Sequence, residues 1–167
     1  SINGGVDVKG LMFNVLEDVI TDAYGPEAWD SLICMAGAEG AYSSLGSYPD
    51  TEFHAIAQAT ATLTGQETTD VLQAFGQSAM PIILNRFPLF AEGVDDARTF
   101  LLSLNSVIHP EVRKVYPGAD VPVFDVVSGE ADHISLSYRS KRGLCHFAEG
   151  LALGAGDLFG EEFTVTQ

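Results

Sequence analysis

The chain has 167 residues, enough for a single domain that can enclose a sizeable ligand. Its 8 basic against 23 acidic residues leave a net charge of −15, which disfavours nucleic acid and anionic membranes, since both require a basic surface. No apolar run approaches the roughly 20 residues of a spanning helix, and no secretory segment is legible. The two cysteines, Cys34 and Cys145, make neither a disulfide framework nor a CxxC zinc site, so a reducing cytoplasm is the natural compartment.

In chain order, Met12, Val15, Leu16, Val19 and Ile20 recur at helical spacing and predict an amphipathic helix over 11–23, stopped by Gly25 and Pro26. Glu27 to Met35 reads as a short helix with Trp29, Leu32 and Ile33 on one side, ended by Gly37. The Gly- and Ser-rich stretch 38–49 reads as loop. A helix follows from Asp50, a good cap, to Leu63, closed by Thr64-Gly65. Thr68 or Thr69 starts a long helix reaching Phe87, which Pro81 should kink or divide. Gly93-Val94-Asp95 then opens a helix in which Phe100, Leu101, Leu104, Ile108, Val112 and Val115 form an apolar stripe.

His109 lies on the flank of that stripe, followed by Pro110. Proline cannot donate to an established helix and biases the preceding residue away from helical angles. The helix should therefore restart or kink here, with Ser106 or His109 near the cap. A histidine held at such a joint suits a metal ligand, and it equally suits a hydrogen-bonded histidine at a helix boundary.

Beyond the loop Pro117 to Pro122, alternating residues of 123–127 predict a strand, turned at Gly129-Glu130 into a second strand, Ile134–Tyr138. Three of the eight basic residues fall within Arg139-Ser140-Lys141-Arg142. This cluster precedes a helix whose stripe is Leu144, Phe147, Ala148, Leu151, Ala155 and Leu158. A strand-to-helix turn with basic and hydroxyl donors favours a carboxylate or phosphate, although a solvated basic turn has the same composition. Strand character resumes over 162–166. Among the other histidines, His54 falls on a polar helix face, His133 precedes the second strand, and His146 adjoins Phe147.

Together the segment Val107-Ile108-His109-Pro110-Glu111-Val112 and the motif Tyr138-x-Ser140-x-Arg142 resemble the haem-nitric oxide/oxygen binding (H-NOX) family, related to the haem domain of soluble guanylate cyclase. The stretches Lys9-Gly10 to Glu17-Asp18, Gly46-Ser47-Tyr48-Pro49, Ala74-Phe75-Gly76 and Leu144 to Leu151 agree in order with the same family. The resemblance implies an α+β fold, with a helical N-terminal part packed over an α/β part with an antiparallel sheet and haem buried between them. It makes 8–167 one haem domain, lacking the family's last hairpin strand. Val8 stands where the family has its initiating Met, so 1–7 reads as a processing remnant or an extension.

The site roles implied by the resemblance are His109 as axial ligand to the iron of haem b (iron protoporphyrin IX) and Tyr138, Ser140 and Arg142 as a clamp on the propionates. Pro122 would press on the porphyrin and distort it, and Met12, Leu16, Ala79, Ile83, Phe147 and Leu151 would line the distal gas pocket. No nucleophile elbow, P-loop or carboxylate cage is present, so the protein is expected to be a sensor and not an enzyme. Oxygen-binding members of the family carry a tyrosine five residues after the motif arginine, where this chain has Phe147. The expectation is therefore a sensor of NO, able to bind CO, that excludes O2 and signals to a histidine kinase or a diguanylate cyclase. The alternatives are a haem-free binding module holding an apolar carboxylate and, more remotely, a His/Asp hydrolase. A haem Soret band separates the three.

Overall fold

The computed structural model describes residues 7–130, 133–139, 143–162 and 164–165. The chain opens with strand β1 (Asp7–Lys9), which leads directly into helix α1 (Gly10–Tyr24). Strand β1 pairs antiparallel with β2 (Ser47–Pro49), Val8 opposite Tyr48. The stretch 38–49 is thus not all loop. Its last three residues form a strand too short to show a period. The loop before β2 also supplies acceptors to the start of α1, where Gly10 N donates to Gly46 O and Leu11 N to Ser44 O. This approach is so close that a β-carbon on Gly10 would lie 1.8 Å from Ser43 O.

Helix α1 buries Phe13, Val15, Leu16, Val19 and Ile20, as its period predicts. Helix α2 (Pro26–Ala36) buries Trp29 and Leu32 and ends at Gly37 in the left-handed conformation. Helix α3 (Asp50–Thr64) begins one residue earlier than a cap at Asp50 requires. Pro49 holds the cap position, and Asp50 and Glu52 place negative charge in the first turn, where the helix dipole favours it. Helix α4 (Thr68–Arg86) runs through Pro81 undivided.

A 3₁₀ turn (Pro88–Ala91) separates α4 from α5 (Ala97–Leu102). The cap of α5 is Asp96, one residue beyond the predicted Gly93-Val94-Asp95 opening. Its carboxylate accepts from Thr99 N at 2.7 Å and from Thr99 Oγ1 at 2.9 Å. A π-helical turn (Leu104–Ile108) then leads into α6 (His109–Val115). Strand β3 (Val123–Glu130) pairs antiparallel with β4 (His133–Arg139), with a bulge between Val126 and Ser128. Gly129 and Glu130 belong to the ladder and do not form the turn expected of them. They face Ile134 and His133, so the strand is longer than its apolar alternation suggests.

Helix α7 (Cys145–Leu158) packs along α4 in the most extensive helix pair of the molecule. Glycines bring the two backbones together. A β-carbon on Gly76 would lie 2.1 Å from Phe147 O, and one on Gly150 1.9 Å from Gln73 O. The buried face of α7 is therefore Phe147, Gly150, Gly154, Ala155 and Gly156, whereas Leu158, assigned to the stripe by sequence, is exposed. Residues 161, 162, 164 and 165 lie outside any strand, so the predicted strand over 162–166 is not formed among the described residues. The elements make an α+β fold of seven α-helices and two small antiparallel sheets among the described residues.

Two apolar clusters fill the interior. One joins α1, α2, α3, the first half of α4 and the start of α7. The other joins Met80, Phe100, Leu101, Ile108 and Ala155 with Val112, Leu136 and Phe159 around them. Leu151 packs against both, and Ala79 and Met80, consecutive on α4, belong one to each.

Candidate functional site

The second cluster positions His109. In a regular α-helix Pro110 would leave Ser106 O without a donor, and its ring would press on that carbonyl. The π turn accommodates the proline without ending the helix. Ser103 O accepts from both Val107 N (2.9 Å) and Ile108 N (3.1 Å), and the next donor, His109 N, bonds to Leu104 O. Such wide turns concentrate at functional sites. His109 itself has helical angles (φ −65, ψ −38), so the bias imposed by the following proline is overridden. Ser106 makes no side-chain cap. The result is a continuous helical path bulged beside the histidine, in place of the predicted restart. Ile108 and Val112 anchor this path in the second cluster, and Nδ1 of His109 is buried.

The six residues expected on the gas side come together in the first cluster. Leu16, Ala79 and Phe147 are among its buried members, and Met12, Ile83 and Leu151 pack against it. Phe147 is held edge-on by Phe53 with ring centroids 5.3 Å apart, a support that the sequence reading did not single out. None of the six carries a hydrogen-bond donor. Two donors of that cluster, Tyr42 and Trp29, are engaged elsewhere. Tyr42 donates to Glu52 at 2.7 Å, and Trp29 Nε1 donates to Gly40 O at 3.2 Å. Tyr48 accepts from Ser43 N at 2.8 Å. Burial and the Glu52 carboxylate together push the Tyr42 phenol well above its ordinary range, so it stays protonated.

Tyr138 is half-buried near the end of β4, opposite Phe124. Ser140 and Arg142 lie outside the described residues, as does Lys141. Pro122, also half-buried, immediately precedes Val123, whose partner across the ladder is Arg139. Pro122 and the start of the Tyr138 motif are therefore at one end of the ribbon. Leu136, two residues before Tyr138, packs into the cluster that holds Ile108 and Val112. One strand thus links the motif to the histidine helix.

Two further histidines have described surroundings. His146 faces Glu149 at 3.4 Å on the partly exposed side of α7, and His54, half-buried on α3, neighbours Gly143. A groove of about 620 Å³ between α1 and α4, lined by Asp18, Val19, Ile82 and Arg86 among others, includes none of the predicted site residues. Arg86 and Asp18 form an ion pair there.

The family model for haem-NO-binding proteins matches residues 9–167, nearly the whole chain. The chain belongs to the H-NOX family. Its fold is that of solved H-NOX proteins. The crystal structure of an H-NOX protein from S. oneidensis in the Fe(II)NO state is 33% identical, with a TM-score of 0.84, covering 92% of this chain and 86% of that one. The NMR structure of an H-NOX domain from Shewanella oneidensis in the Fe(II)CO state is 31% identical, with a TM-score of 0.85 and coverages of 95% and 88%. The unliganded Fe(II) protein from K. algicida is 30% identical, with a TM-score of 0.81 and coverages of 92% and 84%. No curated protein matches the chain. H-NOX domains are haem-binding sensor modules and not themselves enzymes.

The residues of this H-NOX chain fit the cofactor. Among the described residues no three His, Cys, Asp or Glu gather into a metal cage. His109 would offer one imidazole nitrogen to the iron of a haem, whose porphyrin supplies its other ligands. Ile108 and Val112, which flank His109, lie in one apolar cluster, the expected gas-side residues occupy the other, and both surroundings suit a largely hydrophobic macrocycle. Among the described residues no helix is long and apolar enough to cross a membrane.

Proposed function

We propose that this H-NOX domain is a cytoplasmic sensor of NO. In this reading it holds haem b through His109, clamps the propionates with Tyr138, Ser140 and Arg142, and keeps the porphyrin bent with Pro122. Bound haem would supply an iron that can take a diatomic gas, with His109 as its protein ligand. His109 offers an imidazole nitrogen from a helix that is anchored by Ile108 and Val112 and bulged by its π turn. A change of force on that imidazole is passed to α6, and a partner such as a histidine kinase or a diguanylate cyclase reads the shift.

Selectivity follows from the gas side. Dioxygen at a haem iron would gain from a hydrogen-bond donor on the gas side, whereas NO and CO would not require one. Met12, Leu16, Ala79, Ile83, Phe147 and Leu151 provide no donor, and Tyr42 and Trp29 of the same cluster donate elsewhere, to Glu52 and to Gly40 O. This donor-free wall is the observation that carries the reading. His146, the nearest polar alternative in sequence, faces Glu149.

The test is the visible spectrum of the ferrous protein. The expected outcome is a Soret band that shifts with NO and with CO and forms no stable dioxygen-dependent spectrum in air. Phe147→Tyr, which adds one hydroxyl to a ring already fixed by Phe53, should raise oxygen association or autoxidation. A stable dioxygen-dependent spectrum in the unaltered protein would refute the selectivity, and a colourless protein after haem reconstitution would refute the haem reading itself.

A further inference from the structure

Phe147 is held by its backbone from one side and by a ring from another. A β-carbon on Gly76 would lie 2.1 Å from the Phe147 carbonyl oxygen, so the main chain of α7 is fixed on α4 at this residue. That contact does not fix the side-chain torsions, which choose among staggered wells. The ring is met by Phe53, edge-on at 5.3 Å with 78° between the planes. Phe53 is 1% exposed and Phe147 7%, so the pair is dry. An aromatic pair of this kind favours its own arrangement over others by roughly two- to tenfold.

Phe53 is itself fixed at both ends. Its ring meets Phe13 edge-on at 5.6 Å, and Phe13 stacks on Tyr42 at 4.2 Å. Its neighbour in the chain, Glu52, accepts from the Tyr42 hydroxyl at 2.7 Å and from Glu39 N at 3.3 Å. Tyr42 thus supports Phe53 twice, through Phe13 and through Glu52. Trp29, edge-on to Tyr42 at 6.4 Å, closes the outer end of the row by donating to Gly40 O. The rings therefore run from α2 and the loop after it, across α1 and the first turn of α3, to α7. Phe53 is where this row meets a gas-side ring.

We propose that Phe53 is a positioning residue for the gas side, holding the Phe147 ring in one orientation so that the two rings together set the room left for a diatomic ligand. The inference rests on the reading of Phe147 as a gas-side residue. It adds that selectivity does not reside at position 147 alone. A hydroxyl introduced there acts in full only while Phe53 keeps the ring that bears it in place, because a hydrogen bond weakens steeply once its donor turns away.

The experiment uses the haem-loaded chain with 4-fluorophenylalanine at position 147, its fluorine resonance recorded with and without CO. The parent should give one sharp line. Phe53→Leu, which keeps an apolar side chain and removes the ring, should split or broaden that line. Phe53→Met repeats the measurement if the leucine variant fails to fold, since a flexible thioether fills irregular gaps. Phe87→Leu removes a ring from another aromatic pair of the same 5.3 Å spacing and should leave the line unchanged. In unlabelled protein, Phe53→Leu should change the CO association rate by about two- to tenfold, and that effect should vanish when Phe147→Leu is also present. Likewise, the rise in autoxidation produced by Phe147→Tyr should shrink when Phe53→Leu is added. An unperturbed line in both Phe53 variants, or rate effects that simply multiply in the double substitution, overturns the proposal. A chain that takes up no haem, or Phe147→Tyr without any effect on oxygen, overturns the gas-side reading beneath it. Normal haem and CO binding with an unperturbed line removes only the role of Phe53.

Discussion

Replacing Gly150 by alanine tests whether the α4–α7 seam sets the geometry of the interior. The added β-carbon would sit 1.9 Å from Gln73 O and 2.8 Å from Gln77 N, against backbone that cannot rotate aside. Restoring ordinary contact of about 3.4 Å requires the helices to part by roughly 1.5 Å. Overpacking of this kind costs about 1–3 kcal/mol, while alanine returns about 1 kcal/mol of helix propensity over glycine. The expected net effect is a destabilisation of up to about 2 kcal/mol, read as a lower urea midpoint at unchanged slope. The same displacement moves Phe147 and Leu151 on α7 away from Ala79 and Ile83 on α4, so the CO association rate should change with stability. A variant more stable than the parent by its propensity gain would show that the two backbones are not in this contact.

Three further substitutions address the remaining parts of the site and its frame. His109→Gly should retain haem poorly and recover a five-coordinate spectrum when imidazole is added; an unchanged ferrous spectrum without imidazole would remove His109 as the ligand. Arg142→Ala should speed haem loss more than Lys141→Ala, because a guanidinium can pair bidentately with a carboxylate; equal rates of transfer to an apo-haem acceptor would contradict this. Asp96→Ala removes the α5 cap and should lower stability at neutral pH. The bonds from Thr99 hold the Asp96 carboxyl below its ordinary range, so the folded state binds its proton less readily than the unfolded chain. The cap's contribution is therefore present above the ordinary carboxylate range and lost as pH falls through the lowered value. Urea midpoints of parent and variant should converge in acid, and a constant difference would exclude the linkage.

Where long periodic segments carry the fold, sequence alone placed them. Helices α1 to α4 begin and end within a few residues of their predicted limits, because each has an apolar stripe and a glycine or proline stop. The failures share a cause. Strands β1 and β2 have three residues each and are defined by pairing across 40 positions, which no local pattern records. Asp95 and Asp96 are equally good caps by composition, and only the backbone decides between them. Pro110 predicts an interruption; that the helix absorbs it by widening to a π turn depends on Ile108 and Val112 being held in the second cluster.

The site divides in the same way. His109 and the Tyr138 motif stood out by residue type and neighbours, but their roles came from the ordered resemblance to H-NOX proteins and not from periodicity. The six gas-side residues are invisible to a physical reading of the sequence alone, since Leu16, Ala79 and Phe147 look like core and are core among the described residues. Their chemistry lies in lacking a donor, and such a lack is informative only once the donors beside it are seen to be committed elsewhere. The glycine seam had a legible trace: Gly150 and Gly154 are four apart on α7, the spacing at which small residues share one helix face. That trace acquires meaning only with Gly76 opposite it on α4. The same close approach that packs the two helices fixes the distance between Ala79 and Phe147, so in this chain the spacing of the proposed gas pocket is set by residues that have no side chain to place in it.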